Sequence, residues 1–164
     1  MEYFVMAESC NTYNLIHNHS VLGEMNYKGW FNDNKPTFFI NNSDNFTIEK
    51  PSIWKSNLTI YKGNQKIIAV IFQWNGSVHL KLYNESKTEL FKLKGKSIWK
   101  SNYTLLNEKG KELLFISCQY QWKIWKTKYY IQENTTFTSN NKEILYLTLI
   151  HCIINLKNKA AAVA

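Results

Sequence analysis

A chain of 164 residues that is 45% hydrophobic and 15% aromatic is long enough for one domain with a real core, and too aromatic for a disordered chain. Its formal charge of +8 comes from twenty lysines with no arginine. Lysine lacks the planar fork that reads guanine edges, so the composition weighs against a sequence-specific nucleic-acid reader and leaves open a loose attraction to anionic surfaces. Abundant Lys and Asn without Arg is also the imprint of AT-rich coding, which makes part of the charge incidental.

The first third reads as short strands at Tyr3–Met6, Tyr13–Ile16 and Val21–Tyr27, with Gly29 breaking the pattern. Only Pro36 and Pro51 forbid sheet pairing. Phe38–Ile40 and Asn45–Glu49 flank a turn-like Asn41-Asn42-Ser43-Asp44, and Leu58–Tyr61 alternates like a half-buried strand. Lys62-Gly63-Asn64 is a turn, Ile67–Phe72 is apolar throughout, and Asn75-Gly76 is a strong hairpin signal. Val78, Leu80 and Leu82 then alternate with His79, Lys81 and Tyr83, and Phe91 and Leu93 with Lys92 and Lys94. Tyr103–Leu106 and Leu113–Ser117 flank Glu108-Lys109-Gly110, and Trp122–Trp125 and Lys128–Ile131 close the series. Strands this short and regularly spaced predict a sandwich or a barrel.

Ser52–Asn57 (SIWKSN) recurs unchanged as Ser97–Asn102, and each copy leads into a strand, a glycine turn, a strand and then Gln-Trp (Gln73-Trp74 and Gln121-Trp122). Two equivalent hairpins opened by Trp54 and Trp99 are the structural reading, and two equivalent binding elements the functional one. The first is preferred because aromatics usually anchor cores and edges. After Asn140-Asn141, a helix cap, the residues Ile144, Leu145, Leu147, Leu149, Ile150, Ile153, Ile154 and Leu156 cover nearly the whole helical circumference. A helix apolar all round must be enclosed, and a curved sheet is the natural enclosure.

Little in the chain carries chemistry. Cys10, Cys118 and Cys152 are odd in number, lack CxxC spacing and suggest neither disulfides nor zinc; Cys118 and Cys152 stand in apolar runs and read as buried thiols. His17 and His19 form a weak pair better placed on a strand surface or loop, and His151 reads as a satisfied interior histidine. Asp33 and Asp44, the two aspartates, open no calcium loop, and no phosphate-binding or nucleophile motif occurs. The N-terminus has no basic, apolar leader pattern, so the Asn-X-Ser/Thr triplets at Asn57 and Asn102 read as chance, and Ile144–Ile154 is too short to span a bilayer. Lys92, Lys94, Lys96 and Lys100 cluster in one segment and Lys123, Lys126 and Lys128 in the next, interleaved with Trp99, Trp122 and Trp125. An anionic membrane or a single-stranded nucleic acid would select such a surface. A solvated wall in a lysine-biased composition is the simpler account of the same residues.

The meander of hairpins ending in an all-round apolar helix resembles the tubby C-terminal-like superfamily, and most closely its short bacterial LURP-one-related members; the superfamily also includes the phospholipid scramblases. The resemblance is carried by Phe91–Tyr103, Glu108–Ile116 and Trp125–Ile131, with the helix from Glu143 to Leu156 in the family's central position. It extends well over about residues 45–158 and loosely over the first forty. It implies a closed antiparallel barrel of about twelve strands, one domain over 1–164, wrapped around a central helix at about 142–158. Tubby-type domains bind phosphoinositides, but their basic motif is not recognisable here. The expectation is a non-catalytic protein without cofactor or metal, cytoplasmic and peripheral to membrane, that binds anionic lipid headgroups or a membrane surface. Lys94, Lys96, Lys100, Lys126 and Lys128 are the candidate ligand-binding residues. The alternative is a structural or protein-interaction domain with incidental charge.

Overall fold

The computed structural model describes residues 2–9, 11–28, 35–41, 44–50, 57–85, 87–97, 101–121, 126–134 and 141–163. Twelve strands precede one helix: β1 (Glu2–Ala7), β2 (Thr12–His17), β3 (Ser20–Tyr27), β4 (Pro36–Ile40), β5 (Asp44–Glu49), β6 (Asn57–Lys62), β7 (Gln65–Phe72), β8 (Val78–Tyr83), β9 (Thr88–Ser97), β10 (Asn102–Asn107), β11 (Glu112–Gln121), β12 (Lys126–Glu133) and α1 (Lys142–Val163). Each strand pairs antiparallel with the next, and β1 pairs with β12, so the sheet closes into a barrel without edges. The closed antiparallel barrel around a C-terminal helix is the predicted fold class.

Alternation sets the two faces. Val78, Leu80 and Leu82 on β8 point inward and are buried, while His79 and Lys81 point outward and are exposed. Asn75-Gly76 turns the β7–β8 hairpin, with Gly76 at φ 75°, where a side chain would be strained. Inside the barrel, every α1 residue from Ile144 to Ile153 is buried. A twelve-stranded barrel is too wide for its own side chains to fill, and the helix supplies the missing volume. On β3, Gly23 lets the helix come close: a Cβ there would lie 2.7 Å from Ile40 Cδ1, 3.0 Å from the Phe39 carbonyl oxygen and 3.3 Å from Leu147 Cδ1.

Strand direction alternates around the barrel, so its connections divide between two rims. Those that follow odd-numbered strands share one rim, here the upper; those that follow even-numbered strands share the lower. α1 enters at the lower rim, where Lys142 meets Tyr3 near the start of β1, and emerges at the upper, where Lys159 lies over Phe72 at the end of β7. It runs five residues past the predicted end at 158. The apolar pattern fades after Leu156 because the helix has left the barrel, but Ala160, Ala161 and Ala162 are strong helix formers and continue it.

β11 is also longer than predicted, unbroken from Glu112 to Gln121. Of the repeat, residues 52–56 and 98–100, with Trp54 and Trp99, lie outside the described residues. The described flanks match: Asn57 opens β6 and Asn102 opens β10, both at the upper rim, and each hairpin turns through a positive-φ glycine, Gly63 or Gly110. The predicted strand at Trp122–Trp125 also lies outside the described residues.

Ile150 is fully buried in the middle of the plug. Ile150→Asp puts an unpaired charge there at a cost of several kcal/mol, about the whole stability of many domains. The variant is expected to be insoluble or unfolded by circular dichroism; a soluble, normally folded protein would contradict the buried plug.

Candidate functional site

The four predicted lysines among the described residues do not form one cluster. Lys94 is exposed on the β9 wall, opposite Thr104 of β10. Lys96 occupies a β-bulge nearer the upper rim, 2.7 Å from the Glu112 carboxylate and over the Phe115 ring at 5.2 Å. Its hydrogen bond holds the Glu112 carboxyl below the usual carboxylate range. Lys126, first in β12, donates to the Glu8 carbonyl at 2.5 Å. Lys128 lies two residues further in, 3.9 Å from the Phe4 ring centroid and 4.8 Å from that of Tyr130. β10 and β11 separate the two pairs, and Lys100 lies outside the described residues. These lysines line an outer wall, largely tied to local partners, while the barrel interior is apolar. That polarity is the reverse of a membrane-spanning barrel, which turns an apolar band outward.

The two rims differ more than the walls. All six tryptophans of the chain stand in segments whose bracketing strand ends lie on the upper rim: Trp30, Trp54, Trp74, Trp99, Trp122 and Trp125. The same segments hold Lys28, Lys35, Lys50, Lys55, Lys100 and Lys123 against the two acids Glu8 and Asp33. The lower-rim connections hold no tryptophan, and Lys87, Lys109 and Lys111 there face Glu85 and Glu108. Of the six tryptophans only Trp74 is among the described residues, and it is fully exposed. Beside it, Phe72, Gln73, Gly76, Leu156, Lys159 and Ala160 line an open notch of about 530 Å³ between the β7–β8 hairpin and the emerging helix. A second hollow of about 240 Å³ lies on the β4–β6 side, lined by Lys35, Ile48, Glu49, Lys50, Thr59 and Tyr61.

Sequence reasoning missed the notch and the part played by Lys159. The signal was present in the spacing, since every tryptophan falls between an odd-numbered strand and the next. It becomes readable only when all strands are counted.

The polar side chains of α1 inside the barrel, Thr148, His151 and Asn155, are buried and hydrogen-bonded. His151, fully buried, lies 2.8 Å from the Tyr27 hydroxyl through Nδ1, and Asn155 Nδ2 lies 2.9 Å from Nε2 and donates to the His151 carbonyl at 3.1 Å. With Nε2 accepting from Asn155, Nδ1 carries the proton and donates to Tyr27. Burial, helped by the Lys50 charge, pushes the histidine pKa down to about 3. Near the lower rim the Glu133 carboxylate accepts from the Tyr146 hydroxyl and faces Lys142 at 3.9 Å, and Lys142 donates to the Tyr3 hydroxyl at 2.7 Å. Tyr3 stacks on His17 at 4.3 Å. Cys152 is fully buried, which raises its thiol pKa, and Cys118, expected buried, is only half-buried; both are free thiols. Among the described residues no three His, Cys, Asp or Glu side chains converge as a metal site would require, and no helix is long and apolar enough to cross a membrane.

The fold is a helix-plugged barrel in which every tryptophan of the sequence falls in a connection that follows an odd-numbered strand. No protein-family model, curated protein or solved structure matches the chain.

The His151 shift fixes a pH dependence. The unfolded histidine titrates near 6.5 and the folded one near 3, so between these values the unfolded state binds more protons. Stability is therefore full above about pH 6.5 and falls as pH drops, by at most about 1.4 kcal/mol per pH unit. Melting temperatures from pH 7.5 to pH 4.5 are expected to fall more steeply for the wild type than for His151→Gln, which keeps polar contacts but cannot titrate; parallel curves would remove His151 as the cause.

Proposed function

We propose that this chain is a non-catalytic, tubby-like barrel that holds weakly and reversibly to an anionic membrane surface. The observation that carries this reading is the division between the connections: those that follow odd-numbered strands hold all six tryptophans and six lysines to two acids, and those that follow even-numbered strands hold no tryptophan and three lysines to two acids. Tryptophan and lysine together suit the boundary between headgroups and acyl chains. Lysines near an anionic leaflet contribute roughly 1 kcal/mol each. The resemblance to tubby-like barrels supports a lipid ligand. The interior supports a non-catalytic protein: His151 is sealed between Tyr27 and Asn155, and the Cys152 thiol is buried. Away from Trp74 and Ile71, the exposed large apolar side chains among the described residues, Val21, Leu90 and Tyr120, stand on separate strands.

Changing Lys28, Lys35, Lys55, Lys100 and Lys123, all in connections that follow odd-numbered strands, together to Gln tests the electrostatic part. The folded variant is expected to cosediment several-fold less with phosphatidylserine-containing vesicles at low salt. Wild-type binding is expected to fade as salt shortens the Debye length below ~10 Å. Absence of wild-type binding at low salt, or equal binding by the variant, would leave the interaction-domain reading in its place.

A further inference from the structure

We infer that the barrel stands on the bilayer upper rim first, with Trp74 inserted at the headgroup boundary and the notch beneath it lying against lipid. This rests on the membrane reading above and names the part of the molecule that touches lipid.

Trp74 is held out by a built turn. The Asn75 side-chain oxygen accepts from the Ser77 amide at 3.0 Å and the Ser77 hydroxyl at 2.6 Å. The Gln73 amide donates to the Ser77 carbonyl at 2.9 Å, and the Gly76 amide to the Gln73 carbonyl at 3.2 Å. These bonds fix the turn, and the indole projects from it into solvent. Phe72, Leu156 and Ala160 present apolar surface behind it, and Ile71, 44% exposed, extends that surface along the outer side of β7. The Lys159 ammonium lies over the Phe72 ring at 4.8 Å, which puts a positive charge at the lip of the notch. An indole ring, an apolar shelf and a lysine at one height match the layering of a membrane interface.

Charge decides between a bilayer and a second copy as occupant. Two copies meeting rim to rim would oppose like-charged segments, each with the lysine excess described above, whereas an anionic leaflet complements them. The opposite rim has no comparable feature among the described residues: its β6–β7 turn presents exposed Gly63 and Asn64.

The test uses the full chain with Cys10→Ala and Cys118→Ala; Cys152, fully buried, stays in place and out of reach of label. An environment-sensitive dye is attached at Trp74→Cys or, separately, at Asn64→Cys, and vesicles of phosphatidylcholine with phosphatidylserine are added. The dye at position 74 is expected to brighten and shift to the blue, and the dye at position 64 to stay unchanged. In cosedimentation with the otherwise unaltered chain, Trp74→Ala is expected to weaken binding about tenfold, with Trp74→Phe retaining most of it. What binding Trp74→Ala keeps should be the more sensitive to salt. Equal dye responses at the two rims, or unweakened binding by Trp74→Ala, overturns the rim-first orientation while the membrane reading survives if the five-lysine variant still loses binding. Failure of the wild type to bind overturns both. A lipid-independent dimer in sedimentation equilibrium that Trp74→Ala abolishes assigns the rim to a second copy and overturns the inference.

Discussion

The structure depends on the burial of one helix apolar on every side. Neither partner is viable without the other: the barrel wall encloses a space its own side chains cannot fill, and α1 from Ile144 to Ile153 has no face that tolerates water. The association is non-directional, since apolar contact rewards area removed from water and not a particular rotation or depth. Shape supplies part of the missing specificity. Gly23 opens a depression where Leu147 comes close, while inward side chains such as Met25 and Phe38 fill the wall on either side.

Polar groups supply the rest. Thr148 returns its hydroxyl to the Ile144 carbonyl and asks nothing of the wall. The helix is instead tied to the sheet at two heights, through Glu133 and Tyr3 near its entry and through Tyr27 deeper in. A rotation or slip of one residue would separate each donor from its acceptor in partly or wholly buried surroundings, where an unmade bond is costly. The polar contacts thus index a plug that hydrophobic burial holds but does not orient.

Much of this is legible in the residues themselves. Alternation in β8, the Asn75-Gly76 turn and the all-round apolar helix need only neighbours a few positions away, and each lies where those signals put it. Barrel closure is not local: the pairing of Val5 with Tyr129 joins strands at opposite ends of the chain, and an open sheet would show the same periodicity. The resemblance, not the spacing, led to a closed barrel. The rims are harder still, because a connection's rim depends on the parity of all strands before it, so one strand missed or split exchanges every loop. Proximity to tryptophan along the chain therefore selects Lys94 and Lys128 on the wall and passes over Lys159, which stands about half the chain length from Trp74.

The seam between β1 and β12 orders events during synthesis. The first strand made must wait for the last before it gains its second neighbour, and the plug is made after both. A ribosome therefore releases twelve strands' worth of inward-facing Ile, Leu, Val and Phe before the chain holds anything to place among them. The nascent sheet has two open edges and an uncovered apolar face for most of translation, the condition under which chains associate with one another or with chaperones. Closure demands contacts between residues far apart in sequence, so it is slow by topology. For this protein, the hazard of folding is concentrated in the interval before α1 arrives.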